Sequence, residues 1–300
     1  MTVRSDVQHD GPRLDLAGET AKASDLAQLY LELLKRTVRN EIYAEAELRR
    51  IAPSSMLRRA VLGLLRPLDV TVVRATPFRE IQRQVRWPGS PPYAHTMVSR
   101  ERLDNVQWCI EQVLRDGVPG DLMEAGVWRG GVIVLMRAVL KVHGVTNRVV
   151  WAADSFQGLP PPDLKHYPAD GDVPWYMYPD ARVTVQRVQE NLRRYDLLDD
   201  QVRMLPGWFK DTLPTAPIKS LAVLRLDGDM YESTMESLVN LYSKLSLGGF
   251  LIVDDYELPA CRKAIHDFRE ERKISAPLVP IDASAVYWRN MPTADPPRRG

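Results

Sequence analysis

The chain holds 300 residues, 45% of them hydrophobic, which points to one sizeable α/β core with additions rather than two full domains. Its 40 basic and 39 acidic residues nearly cancel, so neither a nucleic-acid partner nor an anionic-membrane surface is expected. No apolar run is long enough to cross a bilayer, no apolar leader follows Met1, and Cys109 and Cys261 lack metal-ligand spacing, so a soluble cytoplasmic protein with inert thiols is expected.

Residues 1–22 are polar, charged and aperiodic and read as a mobile arm. From Ser24 onward, Leu26, Leu29, Tyr30, Leu33 and Leu34 recur at helical spacing, which predicts an amphipathic helix running towards Leu48. Residues 51–86 mix arginines with Leu and Val between Pro53, Pro67 and Pro77. They read as a helical cover with a solvated basic face rather than a partner-binding element, and the proline-rich stretch 87–93 as a rigid loop. Residues 23–98 would thus form a helical extension, and 99–290 the catalytic domain. Helical spacing leaves homo-oligomer contact and packing within one subunit equally open for that extension.

The pattern then becomes regular. Residues 99–116 predict a helix capped by Ser99 and ended by the glycines that follow. Strands are expected at 122–126, 149–153, 202–205, 221–226 and 250–253, with helices at 131–143, 183–195, 233–245 and 259–271. Two short strands, 278–281 and 285–288, predict a closing antiparallel hairpin around Asp282. This alternation implies a Rossmann-like α/β fold, its mostly parallel sheet covered on both faces and its ligands bound at the carboxyl ends of the strands. Residues 155–180 exceed an ordinary connection and predict a lid, with Trp175, Tyr176 and Tyr178 poorly suited to water.

Between the first strand and its helix lies Glu124-Ala-Gly126-Val-Trp128-Arg-Gly-Gly131, where small residues let the backbone approach a ligand. It lacks the G-x-G-x-x-G spacing of a dinucleotide site. Asp154, followed by Ser155, ends the second strand. A carboxylate there can accept hydrogen bonds from both ribose hydroxyls of an adenosine, although alone it would read as a cap or turn residue.

Asp227 and Asp229 follow one apolar strand, and Asp254 and Asp255 the next. Any one of them suits a turn or helix cap, but four carboxylates on neighbouring strand tips would repel one another strongly without a cation. A hard divalent ion such as Mg2+ accepts carboxylate oxygens while keeping sites for substrate. It lowers the pKa of a bound hydroxyl, whose proton a carboxylate outside the metal shell can take; Asp229 is assigned that part. His95 and His266 read as structural.

Taken in order, His95-Thr-Met97, Asp121-Leu-Met-Glu-Ala-Gly-Val-Trp-Arg-Gly-Gly131, Asp154-Ser-Phe-Gln-Gly-Leu-Pro160, Leu205-Pro-Gly-Trp-Phe209, Leu226-Asp-Gly-Asp-Met-Tyr-Glu-Ser-Thr234 and Gly248-Gly-Phe-Leu-Ile-Val-Asp-Asp-Tyr256 resemble the macrocin-type (TylF-like) sugar O-methyltransferases. The resemblance runs from about Leu26 to Trp288. It implies a class I S-adenosylmethionine-dependent methyltransferase acting on a deoxysugar of an antibiotic glycoside or on its sugar precursor. It further implies that Asp227, Asp254 and Asp255 hold Mg2+ and that Asp229 is the base. Glu124, Gly126, Trp128, Asp154 and Ser155 would hold S-adenosylmethionine, with Thr96 and Met97 lining the same pocket. Catechol-type methyltransferases are similar in their strand-tip carboxylates but carry a lysine where this chain has Met230. A nicotinamide-dependent oxidoreductase is the more distant alternative.

Overall fold

A computed structural model describes residues 16–43, 48–50, 72–75 and 93–291, with isolated positions at 56, 60 and 63. Residues 1–15 of the expected arm and most of 51–92, including most of the proline-rich loop, lie outside the described residues.

Helix α1 (Leu16–Val38) starts earlier than Ser24, so the end of the expected arm is helical. It stops well short of Leu48 because Asn40 adopts φ 55°, a left-handed conformation that ends helices. Of the five apolar residues spaced at helical intervals from Leu26, only Leu34 is buried; the inward face carries Leu31, Leu34 and Val38. Those residues sit at i, i+3 and i+7, a spacing as regular as that of the outer set, so periodicity identifies the helix but not its buried side. Strands β1 (Leu48–Arg50) and β2 (Val73–Ala75) pair antiparallel as a separate ribbon, an element the reading of 51–86 as helical cover did not include.

Helix α2 (Arg100–Arg115) begins as expected at Ser99, whose hydroxyl accepts from the Arg102 N–H. The chain continues through β3 (Asp121–Ala125), α3 (Gly131–Val142), β4 (Val150–Asp154), α4 (Val185–Arg194), β5 (Val202–Pro206), a single turn α5 (Phe209–Thr212), β6 (Leu221–Leu226), α6 (Tyr231–Leu241), β7 (Leu245–Val253), α7 (Pro259–Glu271), β8 (Val279–Pro280) and β9 (Val286–Arg289). The seven-stranded sheet runs β5-β4-β3-β6-β7-β9-β8. Its first five strands are parallel, and β9 and β8 close it as the predicted antiparallel hairpin. Strand β7 begins before the expected residue 250 because Gly248 (φ 82°) and Gly249 let the strand bulge and resume pairing.

Every residue of β6 is buried, as befits a central strand covered on both faces. Helices α1 to α4 pack on one face, and α6 and α7 on the other. The chain leaves β3 towards β4 and β5, then returns to place β6 on the other side of β3. That reversal opens a crevice above the carboxyl ends of β3 and β6. Among the described residues, no helix is long and apolar enough to cross a membrane.

Candidate active site

The β3–α3 turn and the tip of β6 are in contact. Gly126 has φ 96°, and a Cβ there would lie 1.7 Å from the Asp227 carbonyl oxygen; no other residue fits. Gly131 is as constrained, because its Cβ would lie 2.6 Å from the His95 carbonyl, to which its own N–H donates at 2.9 Å. These approaches pull the strap of residues 94–98 over the turn. Thr96, Met97, Glu124, Gly126, Trp128, Asp154, Ser155, Asp227, Asp229, Asp254 and Asp255, the residues singled out from the sequence, all line one cavity of about 770 Å³. A cavity of that size is in the range of small-molecule sites.

Asp154, expected to meet a ribose, lines the cavity and is held by the glycine turn itself. Its Oδ2 accepts from the N–H groups of Val127 (2.7 Å) and Trp128 (3.2 Å), and its Oδ1 from the Phe156 N–H (2.7 Å). Burial raises its pKa, while those backbone N–H groups oppose the rise. The carboxylate thus organises the glycine turn. Ser155 donates to the Gly158 carbonyl at 2.6 Å, which folds the start of the 155–180 segment.

Oxygens of Asp227, Asp254 and Asp255 lie within 4.8 Å of one another. Asp229 stands beside them at φ 60°, its N–H donating to Asp255 Oδ2 at 3.0 Å. That left-handed conformation is costly for a non-glycine residue and turns the chain sharply before α6. Burial, followed by the charges of Asp227 and Asp254, raises the Asp229 carboxyl to about 8. Burial also raises Asp227 and Asp255.

Two cations that the sequence reading did not single out offset part of this charge. Arg225, fully buried on β6, donates through Nη1 to Glu124 and to Asp227 (2.8 Å), and through Nη2 to Asp254. Arg102 on α2 donates through Nη1 to Asp254 Oδ2 (2.6 Å) and through Nε to Asp282 (2.7 Å). The need for a metal is therefore smaller than four bare carboxylates imply. A sequence signal existed: an arginine inside the apolar run Leu221–Leu226 must be paired if that strand is central.

The residues present suit both implied groups. The three clustered carboxylates are hard oxygen donors of the kind Mg2+ takes. Glu124 Oε2, buried at the cavity wall, has no hydrogen-bond partner, which leaves an acceptor for a donor on a ligand.

The far end of the cavity is built by α5, α6 and the 155–180 segment, and its Trp175, Trp208, Phe209, Lys210, Glu232 and Glu236 were not assigned from sequence. Burial, then Glu232, pushes Glu236 up to about 7. The expected lid is laid down as three short 3-10 turns, Pro168–Asp172, Trp175–Met177 and Pro179–Ala181. Its Asp170 is fully buried and accepts from the N–H groups of Tyr231 and Glu232. The segment thereby caps the N-terminus of α6 from outside the helix.

Comparison with known proteins gives a consistent picture. The family described as Macrocin-O-methyltransferase (TylF) matches residues 27–290. The chain is 47% identical over 265 residues to the Mycinamicin III 3''-O-methyltransferase of Micromonospora griseorubida, covering 87% of this chain and 96% of that protein. It is 47% identical over 268 residues to the 8-demethyl-8-(2,3-dimethoxy-alpha-L-rhamnosyl)-tetracenomycin-C 4'-O-methyltransferase of Streptomyces olivaceus, covering 89% and 94%. The solved structure of the O-methyltransferase NovP superposes with a TM-score of 0.73 at 42% identity, over 88% of this chain and 99% of that one.

Proposed function

Because this chain belongs to the macrocin-O-methyltransferase family and is an O-methyltransferase, we propose that it transfers the methyl group of S-adenosylmethionine to a deoxysugar hydroxyl of an antibiotic-type glycoside, with Mg2+ assisting. The observation that carries this reading is the single cavity shared by the glycine turn of β3 and the carboxylates of β6 and β7. The names of the two relatives support a sugar-bearing acceptor, since one modifies a mycinamicin at a 3'' position and the other a rhamnosyl tetracenomycin at 4'.

Met230, in the position where the catechol-type enzymes carry lysine, is buried and packs with Val173 and Ala260, so no side-chain cation reaches the acceptor from there. The family membership weighs against a nicotinamide oxidoreductase.

In this reading the chain's own residues bind, orient and move a proton. Glu124 Oε2 offers its free acceptor to the donor end of the cofactor, and Thr96 and Met97 cover the nucleoside, whose approach the glycine turn permits. Asp154 and Ser155 keep that turn in shape. Asp227, Asp254 and Asp255 would hold Mg2+, which when bound supplies Lewis acidity that favours ionisation of a hydroxyl. Asp229 takes the hydroxyl proton on its carboxylate, and its hydrogen bond to Asp255 fixes it for that transfer. Trp175, Trp208 and Phe209 wall the acceptor end and exclude water. Orientation accounts for much of the rate, because the methyl donor is already activated.

Incubation with S-adenosylmethionine and Mg2+ against deoxysugar glycosides, nucleotide sugars and catechols, read by mass spectrometry, tests the reading. Methylated glycoside that disappears with chelator is expected. Product from catechols alone would overturn the sugar, and product that survives chelation would overturn the metal.

A further inference from the structure

The two arginines of the site differ in freedom. Arg225 has no exposure, is ringed by Glu124, Asp227 and Asp254, and sits in the central strand. Arg102 lines the open cavity and has two carboxylates to lean on, Asp254 at 2.6 Å and Asp282 at 2.7 Å. Asp282 is held independently of it. Its Oδ2 also accepts from the Ser99 hydroxyl at 2.9 Å, and its Oδ1 from the N–H groups of Ser284 and Ala285. Loss of the Asp254 contact would therefore leave the Arg102 guanidinium paired.

Each oxygen of Asp254 is met by a guanidinium, Oδ1 by Arg225 and Oδ2 by Arg102. Asp254 is also one of the three clustered carboxylates. A divalent ion and a guanidinium on one carboxylate repel each other, and in a partly desolvated cavity that repulsion is large compared with thermal energy.

We propose that Arg102 is a resident counter-cation of the carboxylate corner, a positioning residue that neutralises Asp254 until a divalent ion arrives and then stays paired through Asp282. This rests on the Mg2+ reading above. It implies that Arg102 weakens metal binding, in exchange for a corner that carries less uncompensated charge without metal. An arginine that merely braced Asp254 would strengthen metal binding instead, so the sign of the effect decides.

Titration calorimetry of Mg2+ into the full chain with S-adenosylhomocysteine present reads that sign. Arg102→Gln is expected to bind Mg2+ at least about fivefold more tightly than the unaltered chain. Asp282→Asn is expected to bind it at least about threefold more weakly, because Arg102 then leans on Asp254 alone. Arg100→Gln, on the same helical turn but paired with Glu32 and Asp104 outside the cavity, should stay within about twofold of the unaltered chain.

Weaker Mg2+ binding by Arg102→Gln, or unchanged or tighter binding by Asp282→Asn, would overturn the proposal while leaving the metal reading intact. Should Arg102→Gln not fold, Asp282→Asn decides. Absence of any Mg2+ binding to the unaltered chain removes the metal reading, and this proposal with it.

Discussion

Asp229 and Asp154 are both aspartates at strand tips, yet their surroundings differ. Asp229 has its backbone N–H engaged and its carboxyl raised to about 8, so it holds a proton readily; burial raises Asp154 as well, but three backbone N–H groups oppose that rise. Asp229→Asn is expected to lower kcat by ~10²–10⁴-fold at saturating substrates while leaving S-adenosylhomocysteine affinity unchanged, and an unaltered kcat would remove it as the base. Asp154→Ala should weaken S-adenosylhomocysteine binding and also destabilise the fold by ~1–3 kcal/mol, because three backbone N–H groups lose their acceptor. A ribose ligand with no other role would lose affinity alone, so parallel calorimetry and thermal melts separate the two. Both aspartates are conspicuous in the sequence after apolar runs. Which backbone donors meet Asp154 depended on the path of the β3–α3 turn, a contact between residues 26 or more positions apart.

Among the elements, the 155–180 segment and α6 depend on each other. Asp170 supplies the acceptor that the α6 N-terminus lacks, since Met230 at its N-cap makes no side-chain bond. Asp170→Ala should cost ~1 kcal/mol as a lost helix cap and should make residues 155–180 more sensitive to protease, measured as the rate of cleavage within that segment. Equal cleavage rates would mean that Val173 packed beside Met230 and Ala260 suffices to hold the segment. Length and composition set this segment apart from an ordinary connection; nothing in them pointed to its anchor. The same limit applies to α1, where spacing revealed a helix and left its inward side undetermined. The one-turn α5 and the three-residue strands β1 and β2 were too short for any periodicity to register.

For the molecule as a whole, charge burial ties stability to pH. His95, in the strap, meets the C-terminal end of α4, its Nδ1 2.8 Å from the Tyr195 hydroxyl, and burial, helped by Arg129, Arg194 and Arg187, lowers its pKa from 6.5 to about 4. The unfolded chain therefore binds this proton first. Stability from the neutral ring is complete above pH 6.5 and is lost as pH falls towards 4. His95→Asn, which keeps an acceptor for Tyr195, should lose less stability than the unaltered chain across that interval in denaturant titrations; equal losses would refute the assignment. The alternation of strands and helices, the glycines of the β3–α3 turn, the four strand-tip aspartates and the family resemblance were all readable from the chain alone, because each is a local pattern of residue type and spacing. Tertiary structure decided what those residues face. It set Arg225 and Arg102 among the carboxylates, tied Asp154 to the backbone of the β3–α3 turn, and joined α5, α6 and the 155–180 segment into the far wall of the cavity. Pairing energies of that kind arise between residues distant in sequence, and only the packing of the sheet brings them within reach.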